Sequence, residues 1–306
     1  MAGFRPHKIK RLGIIGQTGQ LARALIDLCD MHGIEAVALG RADLDLSWDP
    51  HLIEEALSAY DNIDALINAA AYTAVDAAEE DIDTARRVNS VAPEIFAKFC
   101  QKKNIPFIHI STDYVFNGQN NTPYKVNHPT APLGVYGETK LLGEDAVEKV
   151  GGAYAILRTS WVYDARGKNF VTTMLRLAET RESLNVVHDQ KGRPTYAPDL
   201  AQASLIAANS LCSDPVNARG VYHVSNSGPI ISWADFARAI FEKAKPHIGK
   251  NMAVNDIPSS EYPTPAKRPA YSALDLTSFE STFQTSLPDW PSSLDKAISE
   301  WVQNAR

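Results

Sequence analysis

Short, almost continuously apolar runs alternate with longer amphipathic stretches through the first half of the chain. The runs at 11–15, 34–39, 65–68, 106–111 and 153–157 predict strands. They lack the in-and-out alternation of a half-exposed strand, so they predict parallel strands covered on both faces. Between them, 20–31, 51–60, 81–103 and 136–150 carry helical spacing. Strand–helix alternation of this kind predicts an α/β fold built on a Rossmann-like, doubly wound parallel sheet. After Trp161 the pattern loosens. Strands are expected at 184–187 and 221–224, and helices at 200–211, 233–245 (with Ser232 as N-cap) and 292–303. The proline-rich stretch 258–269 is expected to be extended or looped. The division this suggests is a dinucleotide-binding domain over 1–165, with 184–225 adding its last strands and a helix. The remainder of 166–306 forms a smaller, mainly C-terminal substrate lobe.

Composition narrows the function. The chain has 306 residues, 44% of them hydrophobic, and a net charge of −6. No basic stripe marks a nucleic-acid surface, and no apolar run approaches the roughly 18 residues a membrane helix needs. The first ten residues are basic but lack the apolar segment and cleavage site of a secretory signal. Cys29, Cys100 and Cys212 are odd in number and sit in apolar helical patterns, as reduced thiols of a cytoplasmic protein do. The eight histidines show no metal-ligand spacing.

Two local patterns carry chemistry. The first is Gly16-Gln17-Thr18-Gly19-Gln20-Leu21-Ala22, at the junction of the first strand and first helix. Gly16 permits the tight turn, and Gly19 removes a side chain where a pyrophosphate approaches. The helix N-terminus supplies free N–H groups, and small Ala22 lets helix and strand pack closely. At the end of the second strand, where an acid would bind the 2′-hydroxyl of NAD, the chain has Gly40-Arg41. An arginine there suits a 2′-phosphate, which points to NADPH with NADH left open. A solvated surface arginine would read the same way.

The second pattern is Tyr136-Gly137-Glu138-Thr139-Lys140, with Ser111-Thr112-Asp113 at the end of a strand upstream. Positions four apart share a helix face. A phenol ionises near pH 10, but an ammonium about 4 Å away contributes about 4 kcal/mol at an effective dielectric near 20. That lowers the phenol by about three units and brings proton exchange towards neutrality. On its own this spacing equally describes a solvated lysine beside a half-buried aromatic.

Together these segments resemble the extended short-chain dehydrogenase/reductases, and within them the dTDP-4-dehydrorhamnose reductases. The resemblance continues through Asn68-Ala69-Ala70-Ala71-Tyr72-Thr73-Ala74-Val75-Asp76, Ser111 to Phe116 and Arg158-Thr159-Ser160-Trp161-Val162-Tyr163. Further along it includes Asp189-Gln190 to Pro194-Thr195, then Arg268-Pro269 with Ser272-Ala273-Leu274-Asp275. It implies reduction of the C4 ketone of dTDP-4-dehydro-L-rhamnose, with Tyr136 as general acid. Lys140 would hold the nicotinamide ribose and tune Tyr136, and Thr112 would orient the carbonyl. Gly16, Gln17 and Gly19 to Ala22 would meet the pyrophosphate, and Arg41, Asp45 and Leu46 the adenosine end. Ala70, Ala71, Tyr72 and Thr73 would line the cofactor. Asp113 and Trp161 would face the sugar, although Trp161 also fits an apolar core. Gln190, Pro194, Thr195 and Arg268 would lie towards the nucleotide diphosphate. The cluster Asp76, Glu79 and Glu80 reads as helix N-terminal charge rather than catalysis.

Tyr114 directly after Thr112-Asp113 argues against the related dehydratases, which need a carboxylate there. Ala24 replaces a glutamate associated with magnesium-linked dimers in this family, so no metal is expected, and the chain should be a monomer or weak homodimer. The readings kept alongside are an NADP-binding regulatory subunit of the methionine adenosyltransferase type, and a reductase or epimerase of another 4-keto sugar nucleotide.

Overall fold

The computed structural model describes residues 8–58, 60 and 62–304. The reading of the basic N-terminal segment falls largely on residues 1–7 and lies outside them. Six strands form the central sheet: β1 (Arg11–Ile15), β2 (Glu35–Leu39), β3 (Ala65–Asn68), β4 (Phe107–Thr112), β5 (Tyr154–Thr159) and β6 (Gly220–His223). Their order across the sheet is β6, β5, β4, β3, β1, β2, and every pairing is parallel. The chain runs outward from β1 to β2 and then returns past β1 to β3. Sheets of this kind bind ligands at that reversal, outside the carboxyl ends of the strands.

Both faces are covered, as the continuous apolar runs require. Leu12 and Ile14 face Leu21, Leu25 and Leu28 of helix α1 (Gln20–His32) and Leu200 and Leu205 of the helix Ala197–Ser213. Ile15 and Leu66 face the other way, onto Ile53 and Leu57, onto Ile95 and Phe96 of helix α2 (Ala92–Lys103), and onto Val147 of helix α3 (Val135–Val150). A separate core built from Met174, Leu175, Phe236, Ile240, Trp290 and Leu294 holds the C-terminal lobe. Its helix Trp233–Ile248 starts at a capping box between Ser232 and Asp235. Among the described residues no helix is long and apolar enough to cross a membrane.

Two expectations change. The strand over 184–187 does not extend the central sheet. Ser183–Val187 pairs in parallel with Ala253–Ile257 in a sheet of two, alternating buried and exposed positions. The helix expected over 81–103 is three pieces: Ile82–Arg86, a π-helical turn Arg87–Val91, and α2. Pro93 explains the break. It has no N–H for the carbonyl four residues earlier, and its ring crowds that carbonyl, which belongs to Asn89.

The widened turn positions α3. The Asn89 side chain accepts from the Tyr72 N–H (2.9 Å) and donates to the Tyr72 carbonyl and the Thr139 hydroxyl (3.2 Å each). The helix backbone then lies directly on its neighbours. A Cβ on Gly143 would overlap the Asn89 carbonyl oxygen, and one on Gly137 the Tyr114 carbonyl oxygen. Gly143→Ala should therefore lower the unfolding free energy by about 1–3 kcal/mol in denaturant titrations, despite alanine's better helix propensity. Unchanged stability would show that α3 has room to shift.

Candidate active site

A groove of about 790 Å³ runs along the carboxyl ends of the strands. Gly16, Gln17, Gly19, Gln20 and Leu21 line it at the first turn, and Arg41, Asp45 and Leu46 beyond the end of β2. Ala70, Ala71 and Thr73 line its middle, followed by Thr112, Asp113, Tyr136, Lys140 and Trp161.

The turn fits a dinucleotide. Gly16 has φ +107°, a conformation reserved for glycine. Gly19 is different: its φ of −68° suits any residue, and a Cβ there would meet no protein atom within 4 Å. No packing or backbone constraint calls for glycine at 19, and the bare position leaves its backbone open to the groove at the α1 N-terminus, where a phosphate gains most. Ala22 is buried behind this turn, its Cβ 3.5 Å from where a Cβ on Gly16 would sit, and forms no part of the groove lining. The Arg41 side chain is 85% exposed and pairs with Asp45 at 3.5 Å. Tyr72 stands outside the lining: its N–H is bound by Asn89 and its hydroxyl reaches Asp81 at 3.4 Å.

Tyr136 and Lys140 project from the first turns of α3, and Thr112 ends β4. The Thr112 hydroxyl donates to Asp113 (3.0 Å) and accepts from the Tyr114 N–H (3.2 Å), and it lies close enough to Tyr136 to act on the phenol. The Tyr114 ring packs edge-on against Tyr136 at 5.4 Å. The expected tuning of the phenol by lysine is not what the geometry gives. Burial pushes Tyr136 up to about 12; the neighbouring Thr112 hydroxyl opposes this and the Asp113 charge adds to it. Lys140 instead donates to the Ile110 carbonyl at 2.6 Å and meets the His109 ring at 3.4 Å. Burial brings Lys140 down to about 8, against the pull of Glu144. Tyr136 therefore keeps its proton throughout the physiological range, the state a proton donor needs. Asp113 is raised to about 6 by burial, with hydrogen bonds from Ser272 and Thr112 holding it back. Tyr114 is driven well above its ordinary value, mainly by burial, and stays neutral where a dehydratase would need a carboxylate.

Trp161 lines the groove with φ +50°, a strained conformation for a bulky residue. Its carbonyl accepts from the Thr195 N–H (3.2 Å), and its ring stacks on Trp233 at 3.6 Å. The four residues expected near the diphosphate do not line the groove. Thr195 is fully buried with its hydroxyl on Thr159, and Pro194 is buried beside it. Gln190 donates to Ser259 (2.9 Å). Arg268 is held by both carboxylate oxygens of Asp76 (2.8 and 3.1 Å) and by the Ala266 carbonyl. Asp76 thus anchors the proline-rich segment, and Glu79 accepts the Val135 N–H at the start of α3 (2.9 Å). Sequence reasoning missed Asn68, Asn89, His109 and Trp233. Only Asn89 had a signal, an asparagine four residues before a proline inside a helical stretch.

The family model of the RmlD substrate binding domain matches residues 10–303. A dTDP-4-dehydrorhamnose reductase of Sinorhizobium fredii is 42% identical over 289 residues, 94% of this chain and 96% of that one. The solved dTDP-4-dehydrorhamnose reductase of Clostridium acetobutylicum is similar with a TM-score of 0.86 at 34% identity, covering 95% of this chain and 99% of that one. That of Bacillus anthracis, solved in complex with NADP, has the same TM-score of 0.86 at 33% identity and the same 95% and 99% coverage. With a six-stranded Rossmann-type sheet and a match across nearly its whole length, the chain belongs to the RmlD substrate binding domain family of the extended short-chain dehydrogenase/reductases.

Proposed function

We propose that this chain is a dTDP-4-dehydrorhamnose reductase: it reduces the C4 ketone of dTDP-4-dehydro-L-rhamnose to dTDP-L-rhamnose with NADPH. The observation that carries the reading is a single continuous groove. It opens on a bare glycine turn at a helix N-terminus and ends on Thr112, Tyr136 and Lys140.

NADPH supplies the hydride when bound. The α1 N-terminus and the Gly19 backbone would hold the diphosphate, and Arg41 would meet the 2′-phosphate. The remaining steps belong to side chains. Thr112 and Tyr136 lie side by side at the end of the groove and together clasp the C4 oxygen, which fixes the ketone's orientation. Tyr136 gives its proton to that oxygen as negative charge develops on it. A phenol near 12 transfers this proton readily to an alkoxide, a much stronger base. Trp161, braced by Trp233, offers an apolar face to the sugar ring.

Two outcomes follow. Tyr136→Phe should lower kcat by roughly 100-fold or more while leaving NADPH binding nearly unchanged; wild-type turnover in that variant would remove Tyr136 from the reaction. Arg41→Ala should lower kcat/KM for NADPH by about tenfold, the loss of about 1.4 kcal/mol, and leave NADH almost untouched. Equal losses with both cofactors would place Arg41 elsewhere than the 2′-phosphate.

A further inference from the structure

His109 is fully buried in the middle of β4, and nothing in the proposed reduction uses it. Its two ring nitrogens face different partners: Nδ1 lies 3.2 Å from the Asn68 amide nitrogen, and Nε2 lies 3.4 Å from the Lys140 nitrogen. Neutral imidazole donates from one nitrogen and accepts at the other. Which does which is settled two residues away. The backbone N–H of Ala70 donates to Asn68 Oδ1 at 3.2 Å. That N–H fixes the amide's orientation, since turning the amide over would set two donors against each other. Asn68 therefore presents its NH₂ to His109, and Nδ1 must accept. The ring proton is then on Nε2, pointing at Lys140.

An N–H pointing at an ammonium is repulsive; an N–H pointing at an amine lone pair is a hydrogen bond. Lys140 also donates to the Ile110 carbonyl, which an amine does as well as an ammonium. The lysine is 2% exposed and pairs with no carboxylate among the described residues. Glu144, one turn later, is taken up by Arg158 of β5 and by the Ser111 hydroxyl. The ionisable groups beside it at the groove are Tyr136 one turn earlier, Tyr114 edge-on to Tyr136, and Asp113 beyond Thr112. Burial and the Lys140 charge both disfavour a second proton on His109.

We propose that His109 is a positioning residue for Lys140: locked by Asn68 as the Nε2–H tautomer, it points that N–H at the Lys140 nitrogen and weakens the nitrogen's hold on its third proton in the free protein. The chain of donors runs in one direction, from Ala70 through Asn68 and His109 to Lys140, and ends on the Ile110 carbonyl. This deepens the reductase reading by assigning what sets the proton affinity of a lysine at the groove, and it rests on that reading for its catalytic meaning. The tautomer itself is a property of the cofactor-free chain.

The test is long-range ¹H–¹⁵N NMR of the full-length protein without ligand, with the His109 signals identified by their loss in His109→Gln. The result expected is a bare Nδ1 and a protonated Nε2, with the Lys140 nitrogen titrating near 8. Asn68→Asp, of the same shape, presents an acceptor to Nδ1. It should invert the tautomer and raise the Lys140 midpoint by at least about one unit. A protonated Nδ1 in the unsubstituted protein, a doubly protonated ring, or a Lys140 ammonium persisting to pH 10 would overturn the proposal. Failure of the reductase reading would instead appear as an inert chain in the keto-sugar assay, whatever the tautomer.

Discussion

The arrangement depends on one buried ion pair. Glu144 and Arg158 are both nearly inaccessible, and Arg158 reaches the carboxylate from Nε (3.0 Å) and Nη2 (2.6 Å). The Ser111 hydroxyl satisfies the same carboxylate, while Arg158 also donates to the Val126 carbonyl and lies over the Phe116 ring. Removing one partner of such a pair strands a charge in a low-dielectric interior, at a cost of about 3–5 kcal/mol. The pair therefore specifies more than it stabilises. It fixes the rotation and axial position of α3 relative to β4 and β5. Tyr136 and Lys140 lie two turns and one turn before Glu144 on the same helix, so their placement over the strand ends follows from it.

Glycine completes what charge begins. Gly137 and Gly143 bring the helix backbone against the carbonyls of Tyr114 and Asn89, closer than any side chain would allow. The π-helical turn frees Asn89 to bind both Tyr72 and Thr139, so the loop after β3, the helix α3 and the turn before α2 form one unit. Together these contacts hold a buried lysine, a half-buried phenol and a buried carboxylate at the groove.

Much of this was legible in the sequence, and what was not has a physical reason. The parallel sheet could be read because strands covered on both faces must be continuously apolar. The glycine turn could be read because Gly16 needs its positive φ, and the Tyr136–Lys140 pair because helical spacing is local. The charge states could not be read this way: the arithmetic placed an ammonium beside the phenol, whereas tertiary contacts aim Lys140 at Ile110 and His109. Gln190, Thr195 and Arg268 lie outside the groove lining, held by Ser259, Thr159 and Asp76, partners distant in sequence that no local pattern announces. His109 and Asn68 escaped because each sits in an apolar run and matters only through a hydrogen-bond direction across strands.

The account's central claim is that this groove performs reduction at C4 of a deoxysugar nucleotide. The direct measurement is to incubate the purified chain with dTDP-4-dehydro-L-rhamnose and NADPH, following cofactor absorbance and sugar NMR together. The account predicts dTDP-L-rhamnose formed in equal amount to the NADPH consumed. Retention of the keto sugar with no loss of NADPH, by a folded chain that binds the cofactor, would contradict it.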